Sequence, residues 1–244
     1  MPSLSFSIAR HAAWAPGIET PEAWAAWAAA PFAITGDGEP AVRQMPPMLR
    51  RRAGALGKMA LEVAYQCLDG RTDVPTVFCS RHGEVARAVD LLTDLVQDVA
   101  LSPTAFGLAV HNASAGLFSI ARTDQANHLA LAAGASTVEH AVIEACSLLA
   151  DGAPMVLLVA YDPCLPSIFT QFEECAEQPH AWAWLMVPAG MDAIHLSWTA
   201  VAGQPAATVK TMPAGLDILR FQLCGDQVME RVADQRRWRW ARHA

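Results

Sequence analysis

The 244-residue chain predicts an α/β layered fold in which helices cover a mixed sheet. Three observations predict it. Short strand-like apolar runs alternate with longer stretches of helical periodicity between residues 76 and 161. The run over residues 155–161 is apolar throughout, as expected of a strand covered on both faces. Towards the end, two strand-like segments flank Pro188-Ala189-Gly190, which predicts an antiparallel pair. Hydrophobic residues make up 53% of the chain and charged residues 17%, enough to bury a sizeable core. The length suits one large domain, taken to span residues 1–244.

The elements follow in order. Leu4, Phe6 and Ile8 alternate with serines as a first strand. Thr20-Pro21-Glu22 opens a helix to Ala30, with proline at its first position. A Gly- and Pro-rich loop covers residues 36–47, and residues 48–68 have helical periodicity. Residues 76–79 read as a buried strand ending in the turn Ser80-Arg81-His82-Gly83, with an amphipathic helix over 84–99. A loop at Leu101-Ser102-Pro103 precedes a mostly helical 104–122. Residues 128–132 are a short strand and 136–150 a helix. After the apolar strand come strands at 180–187 and 193–202, then a helix from Pro213 that turns basic at the C-terminus.

Charge and composition exclude several classes. A formal net charge of −7 argues against non-specific nucleic-acid binding. No apolar run reaches membrane-spanning length, and no basic region followed by an apolar stretch opens the chain. The six cysteines lack C-x-x-C spacing, so they read as reduced thiols of a cytoplasmic protein rather than a disulfide frame or zinc site. No metal and no cofactor is expected. Low charge in an alanine-rich chain predicts an apolar surface that meets a permanent partner.

Residues 101–152 carry a family resemblance. Leu101-Ser102-Pro103 is followed by Asn112 and Ala115-Gly116 in a helix that continues through Ile120. Then come a short strand, Ala133-Gly134-Ala135-Ser136-Thr137, a helix with Ala145, and a turn at Gly152 before the apolar strand. In order and spacing this stretch resembles the nucleophile-bearing half of a β-ketoacyl synthase, a thiolase-fold enzyme. The resemblance implies half of a thiolase-like fold with a mixed five-stranded sheet. It places Ala135 where the family has its nucleophilic cysteine, with Gly134 as the candidate if the register slips by one. Alanine cannot form a thioester, and the family's two assisting histidines belong to a second half for which this chain is too short. No catalytic residue is therefore carried over.

The resemblance also implies a role. Non-condensing members, the chain length factors, pair with an active ketosynthase and shape its acyl tunnel. Short members are associated with polyene-type pathways, including aryl polyenes. The strand before the cysteine position pairs with its counterpart across the dimer axis. Here that strand is His128, Leu129, Ala130, Leu131 and Ala132, and the expected heterodimer also uses the flanking helix with Thr104 and Phe106. An acyl carrier protein is the second expected partner, through Arg236, Arg237 and Arg239; the alternative is a solvated helix end with cations near the negative dipole end.

Other constellations compete. Ser114 within Asn112-Ala113-Ser114-Ala115-Gly116, followed by Asp162 and His195, has the chain order of a serine hydrolase. The first glycine of the elbow is missing, however, and the motif falls inside a helical stretch. Cys79 and His82 form a second nucleophile–base candidate, although a strand-end cysteine is more often a buried small hydrophobe. Cys146 lies about three turns beyond Ala135 on one helix and cannot replace the lost thiol. His111, His128 and His140 lie near the degenerate position in sequence, without metal-ligand spacing. The pairs Trp24/Trp27 and Trp182/Trp184 read as core.

Overall fold

The computed structural model describes residues 2–201 and 212–242. In chain order the elements are β1 (Ser3–Trp14), α1 (Pro21–Ala29), α2 (Pro47–Arg50), α3 (Ala55–Leu68), β2 (Thr76–Cys79), α4 (Val85–Val96), α5 (Pro103–Gly107) and α6 (Ala113–Arg122). The second half comprises β3 (His128–Leu131), α7 (Thr137–Ala150), β4 (Val156–Asp162), β5 (His180–Pro188), β6 (Ile194–Ala200), α8 (Ala214–Cys224), β7 (Val228–Ala233) and β8 (Arg236–Arg242). The strands form one mixed sheet in the order β3-β2-β4-β5-β1-β6-β8-β7. The three strands β3, β2 and β4 run parallel, and every pairing beyond β4 is antiparallel.

The alternation of side chains explains why helices lie on both faces. Val156, Leu158 and Ala160 of β4, with Trp182, Trp184 and Met186 of β5, join a core with residues of α1, α7 and α8. Leu157, Val159 and Tyr161, with Ala181, Ala183 and Leu185, join the opposite core with α3 and α6. On that face β5 presents two alanines, and the small side chains let α3 lie close against the strand. Trp24, Trp27, Trp182 and Trp184 are all buried, as their pairing predicts. At the start of α1 the Thr20 hydroxyl accepts from the Ala23 N–H at 3.2 Å and Pro21 opens the helix, matching the capping signal.

Five expectations are corrected. The sheet has eight strands among the described residues, not five, because β1 and a C-terminal hairpin join it. The segments at 180–187 and 193–202 do not pair with each other. β1 lies between them and bonds both, since a strand of 12 residues, buried at Phe6 and Trp14, is long enough to fill the centre of the sheet. Residue 202 of the second segment lies outside the described residues. The helix at 48–68 is two helices, because Gly54 adopts an extended N-cap conformation before α3. The helix at 104–122 divides after Gly107, a poor interior helix residue. The basic C-terminal helix is α8 followed by a hairpin. Gly225, at φ +66°, ends α8 in the left-handed conformation, and the arginine-rich segment is the strand β8.

Candidate functional site

Strand β3 delivers the chain to a 3-10 turn, Gly134–Ser136, that runs directly into α7. Gly134 has φ +58°, a value that suits glycine. The Thr137 hydroxyl accepts from the Ala133 N–H at 3.0 Å and donates to the Gly134 carbonyl at 2.7 Å, which pins the turn. Ala135 therefore stands in the turn at the N-terminal end of a 14-residue helix. Backbone N–H groups and the helix dipole favour an anion at such a place.

That end of the helix already has its anion. Asp234, in the β7–β8 turn, accepts from the Ser136 N–H at 2.9 Å and from the Ser136 hydroxyl at 2.5 Å. The same carboxylate approaches Gly134, where a Cβ would meet it at 3.4 Å. From β7, Arg231 donates to the Ala135 carbonyl at 2.9 Å and pairs with Glu139 on the first turn of α7. The Glu139 side chain is wholly buried and that of Arg231 is 9% exposed, so this ion pair is a desolvated one. A second pair stands across the cleft. Arg81, in the turn after β2, meets Glu177 at 3.2 Å and Glu174 at 3.6 Å. Burial alone would push the Arg81 guanidinium down; Glu177 and Asp162 more than offset it and hold it above its ordinary value. The space that Ala135 shares with Arg81, Cys175 and Arg231 is about 10 Å³, room for roughly one water.

The alternative nucleophiles do not assemble. Ser114 is buried inside the first turn of α6 rather than at a strand-to-helix turn, and its hydroxyl lies 3.2 Å from where a Cβ on Gly57 would sit. Asp162 instead accepts from the Ser80 hydroxyl at 2.9 Å and the Arg81 N–H at 2.8 Å. His195 on β6 meets the Ser5 hydroxyl at 2.6 Å. The hydrolase reading fails because these three residues serve separate networks. Cys79 is buried, and desolvation raises its thiol far above the ordinary range. Burial lowers His82, and Arg81 adds to that. Cys146 is pushed up to about 12 by burial on α7, the helix it shares with Thr137 and Glu139. His111 bonds the Ser80 carbonyl at 2.9 Å, and His140 meets the Ser136 carbonyl at 2.9 Å. Among the described residues no group of three or more His, Cys, Asp or Glu side chains is placed to hold a metal ion.

The strand before Ala135 is a sheet edge. β3 pairs with β2 in parallel register, His128 opposite Thr76 and Leu131 opposite Cys79, and it ends the sheet on that side. His128, Leu129 and Ala130 are exposed, Leu131 is half-buried, and Ala132 is exposed just beyond the strand. α6 packs beside the strand, and α5, carrying the exposed Thr104 and Phe106 (67% exposed), packs on α4. α4 has an apolar stripe with Leu92, Leu95 and Val96, yet none of its residues is buried among the described residues. On β8, Arg236, Arg237 and Arg239 are exposed, and the last two share Glu230 at 3.5 and 3.6 Å. They are strand residues, so the alternative of cations near a helix dipole is withdrawn.

Sequence reasoning missed Asp234, Arg231, Glu139 and Arg81. A signal for the first two existed. Arg237-Trp238-Arg239-Trp240 alternates with period two, the mark of a strand, and Asp234-Gln235 sits between two such runs as a hairpin turn. Trp238 and Trp240 are buried while the arginines face out, as that period requires.

Comparison with known proteins places this geometry. A chain of the ketosynthase ApeO in complex with its chain length factor ApeC, from Xenorhabdus doucetiae, is 27% identical with a TM-score of 0.85, over 98% of this chain and 100% of that one. A chain of the ishigamide ketosynthase/chain length factor is 15% identical, with a TM-score of 0.64, over 82% of this chain and 68% of that one. A chain of the type II polyketide synthase complex AntDE:AntF is 10% identical, with a TM-score of 0.70, over 98% and 99%. At such identity the last two show the fold. No curated protein matches the sequence. The family model described as "Beta-ketoacyl synthase, N-terminal domain" matches residues 24–241, and with Ala135 at the turn into α7, this chain belongs to the β-ketoacyl synthase N-terminal domain family.

Proposed function

We propose that the chain is a non-catalytic, chain-length-factor-like subunit that pairs with an active β-ketoacyl synthase in polyene-type fatty acid biosynthesis of the aryl polyene kind. One observation supports the reading: Ala135, which the family resemblance aligns with the nucleophile, lies beneath a carboxylate and a buried ion pair, while the strand leading to it is a bare sheet edge. A subunit built this way offers a docking edge and no chemistry. The unpaired N–H and C=O groups of β3 invite a partner strand, and Leu129, Phe106 and the apolar stripe of α4 supply area to bury. The nucleophile and the acyl chain's covalent attachment belong to the partner. Acyl carrier protein would meet Arg236, Arg237 and Arg239 as an acidic partner. Residues 1–244 act as one domain of a cytoplasmic protein; no described helix is long and apolar enough to cross a membrane.

The test is co-expression with an active β-ketoacyl synthase from the same genome. The two should co-purify as a heterodimer that condenses acyl units, and the ketosynthase alone should lose solubility or activity. Leu129→Asp, on an exposed edge position, should leave the melting temperature of this chain unchanged and abolish co-purification. Normal ketosynthase solubility and condensation without this chain would refute the proposal. A purely stabilising scaffold differs in one readout: enlarging Ala135 or Ala132 would then leave product length unchanged in an intact complex.

A further inference from the structure

We infer that Asp234 is a built-in anion that occupies the anion-favouring end of α7, so that the site is closed to thiolate chemistry twice, by Ala135 and by this carboxylate. The inference stands on the hairpin geometry and does not depend on the partner. Asp234 bonds the N–H and the hydroxyl of Ser136, and lies against Gly134. Ala135 is the residue between those two, so any anion on its side chain would share donors and space with an existing negative charge. The hairpin is held there by more than that contact. Arg231, three residues before Asp234, grips the Ala135 carbonyl and Glu139, and the β7–β8 pairing is continuous from Val228 opposite Ala241 to Ala233 opposite Arg236. A helix N-terminus lowers the pKa of a cysteine placed there because its N–H groups stabilise the thiolate. Asp234 cancels this by taking up the donor and adding like-charge repulsion, while the two cations that line the same space, Arg231 and Arg81, are already paired with Glu139 and with Glu177 and Glu174. Restoring the cysteine alone would thus restore an inert thiol.

The experiment introduces a thiol by Ala135→Cys in the full chain, with and without Asp234→Asn. Asparagine keeps an acceptor oxygen for Ser136 and tolerates the positive φ of position 234 (49°), so the hairpin is retained. Iodoacetamide alkylation at position 135 is followed against pH by peptide-resolved mass spectrometry, which separates it from the six native cysteines. In Ala135→Cys the thiol should titrate at or above the ordinary value of about 8.5. Adding Asp234→Asn should lower the apparent pKa by a unit or more and speed alkylation at neutral pH at least threefold. Two results would overturn the inference. One is an apparent pKa well below the ordinary value in Ala135→Cys with Asp234 intact. The other is an unchanged pH profile when Asp234→Asn is added to a protein that still melts cooperatively.

Discussion

Arg231→Met tests the energetics of the site most directly. The substitution keeps the length and apolar stem of the side chain and removes the guanidinium that bonds the Ala135 carbonyl and Glu139. Glu139 would remain wholly buried; its Oε2 already lacks a hydrogen-bond partner among the described residues, and Oε1 would lose Arg231. Stranding one partner of a buried ion pair costs about 3–5 kcal/mol. For a chain of this size each kcal/mol lowers Tm by roughly 2–4 °C, so Tm should fall on the order of 10 °C or more. Arg237→Met is the matched control. Its pair with Glu230 spans 3.5 Å at the surface, with side chains 55% and 43% exposed, and should be worth under about 1 kcal/mol. Urea unfolding and thermal melts of both variants, with Glu139→Leu alone and in the double variant, give the coupling. The double variant should recover most of the loss, because no buried charge is then left unpaired. The reasoning is refuted if Arg231→Met costs no more than Arg237→Met, or if the double variant is as unstable as the single one.

Two further outcomes follow from the same structure. Asp234 and Gln235 both have positive φ in a two-residue hairpin loop, at 49° and 59°, so Gln235→Gly should raise stability by about 0.5–1 kcal/mol in urea unfolding; a loss would show that the glutamine makes a compensating contact. His180 is fully buried, and desolvation lowers it below its ordinary 6.5 against the opposing pull of Asp162 and the Gln178 carbonyl; burial lowers His11 and His82 as well. The unfolded chain therefore binds more protons just below pH 6.5, and stability should be complete above that pH and fall as acid is added. His180→Asn, which preserves a donor towards the Gln178 carbonyl, should remove up to about 1.4 kcal/mol per pH unit of that slope; an identical slope would refute the assignment.

How far the site could be read in advance depended on distance along the chain. Ala135 and the strand before it were legible, because β3, the turn and α7 are adjacent in sequence and their periodicities are local. The edge status of β3 was anticipated only through family likeness, since strand order is not a local property. The Arg236–Arg242 segment is a strand rather than the expected helix because its period of two places Trp238 and Trp240 on the buried face. The Asp234 cap, the Arg231–Glu139 pair and the Arg81–Glu177 pair join residues 92 to 98 positions apart. No window of the sequence contains both partners of any of them.

The sequence by itself determined the alternation of strands and helices, the buried tryptophans, and the alanine at the start of α7. Each follows from neighbouring residues and the covalent geometry that sets periods of 2 and 3.6. Only the tertiary structure decided that β1 runs between β5 and β6, and that a C-terminal hairpin folds back over Ala135. It also decided that the Asp234 carboxylate caps the end of α7 beside Ala135. Those outcomes depend on which strand finds which edge and on which charges are desolvated together. Both are set when the sheet closes, by burial and pairing between segments far apart in the chain.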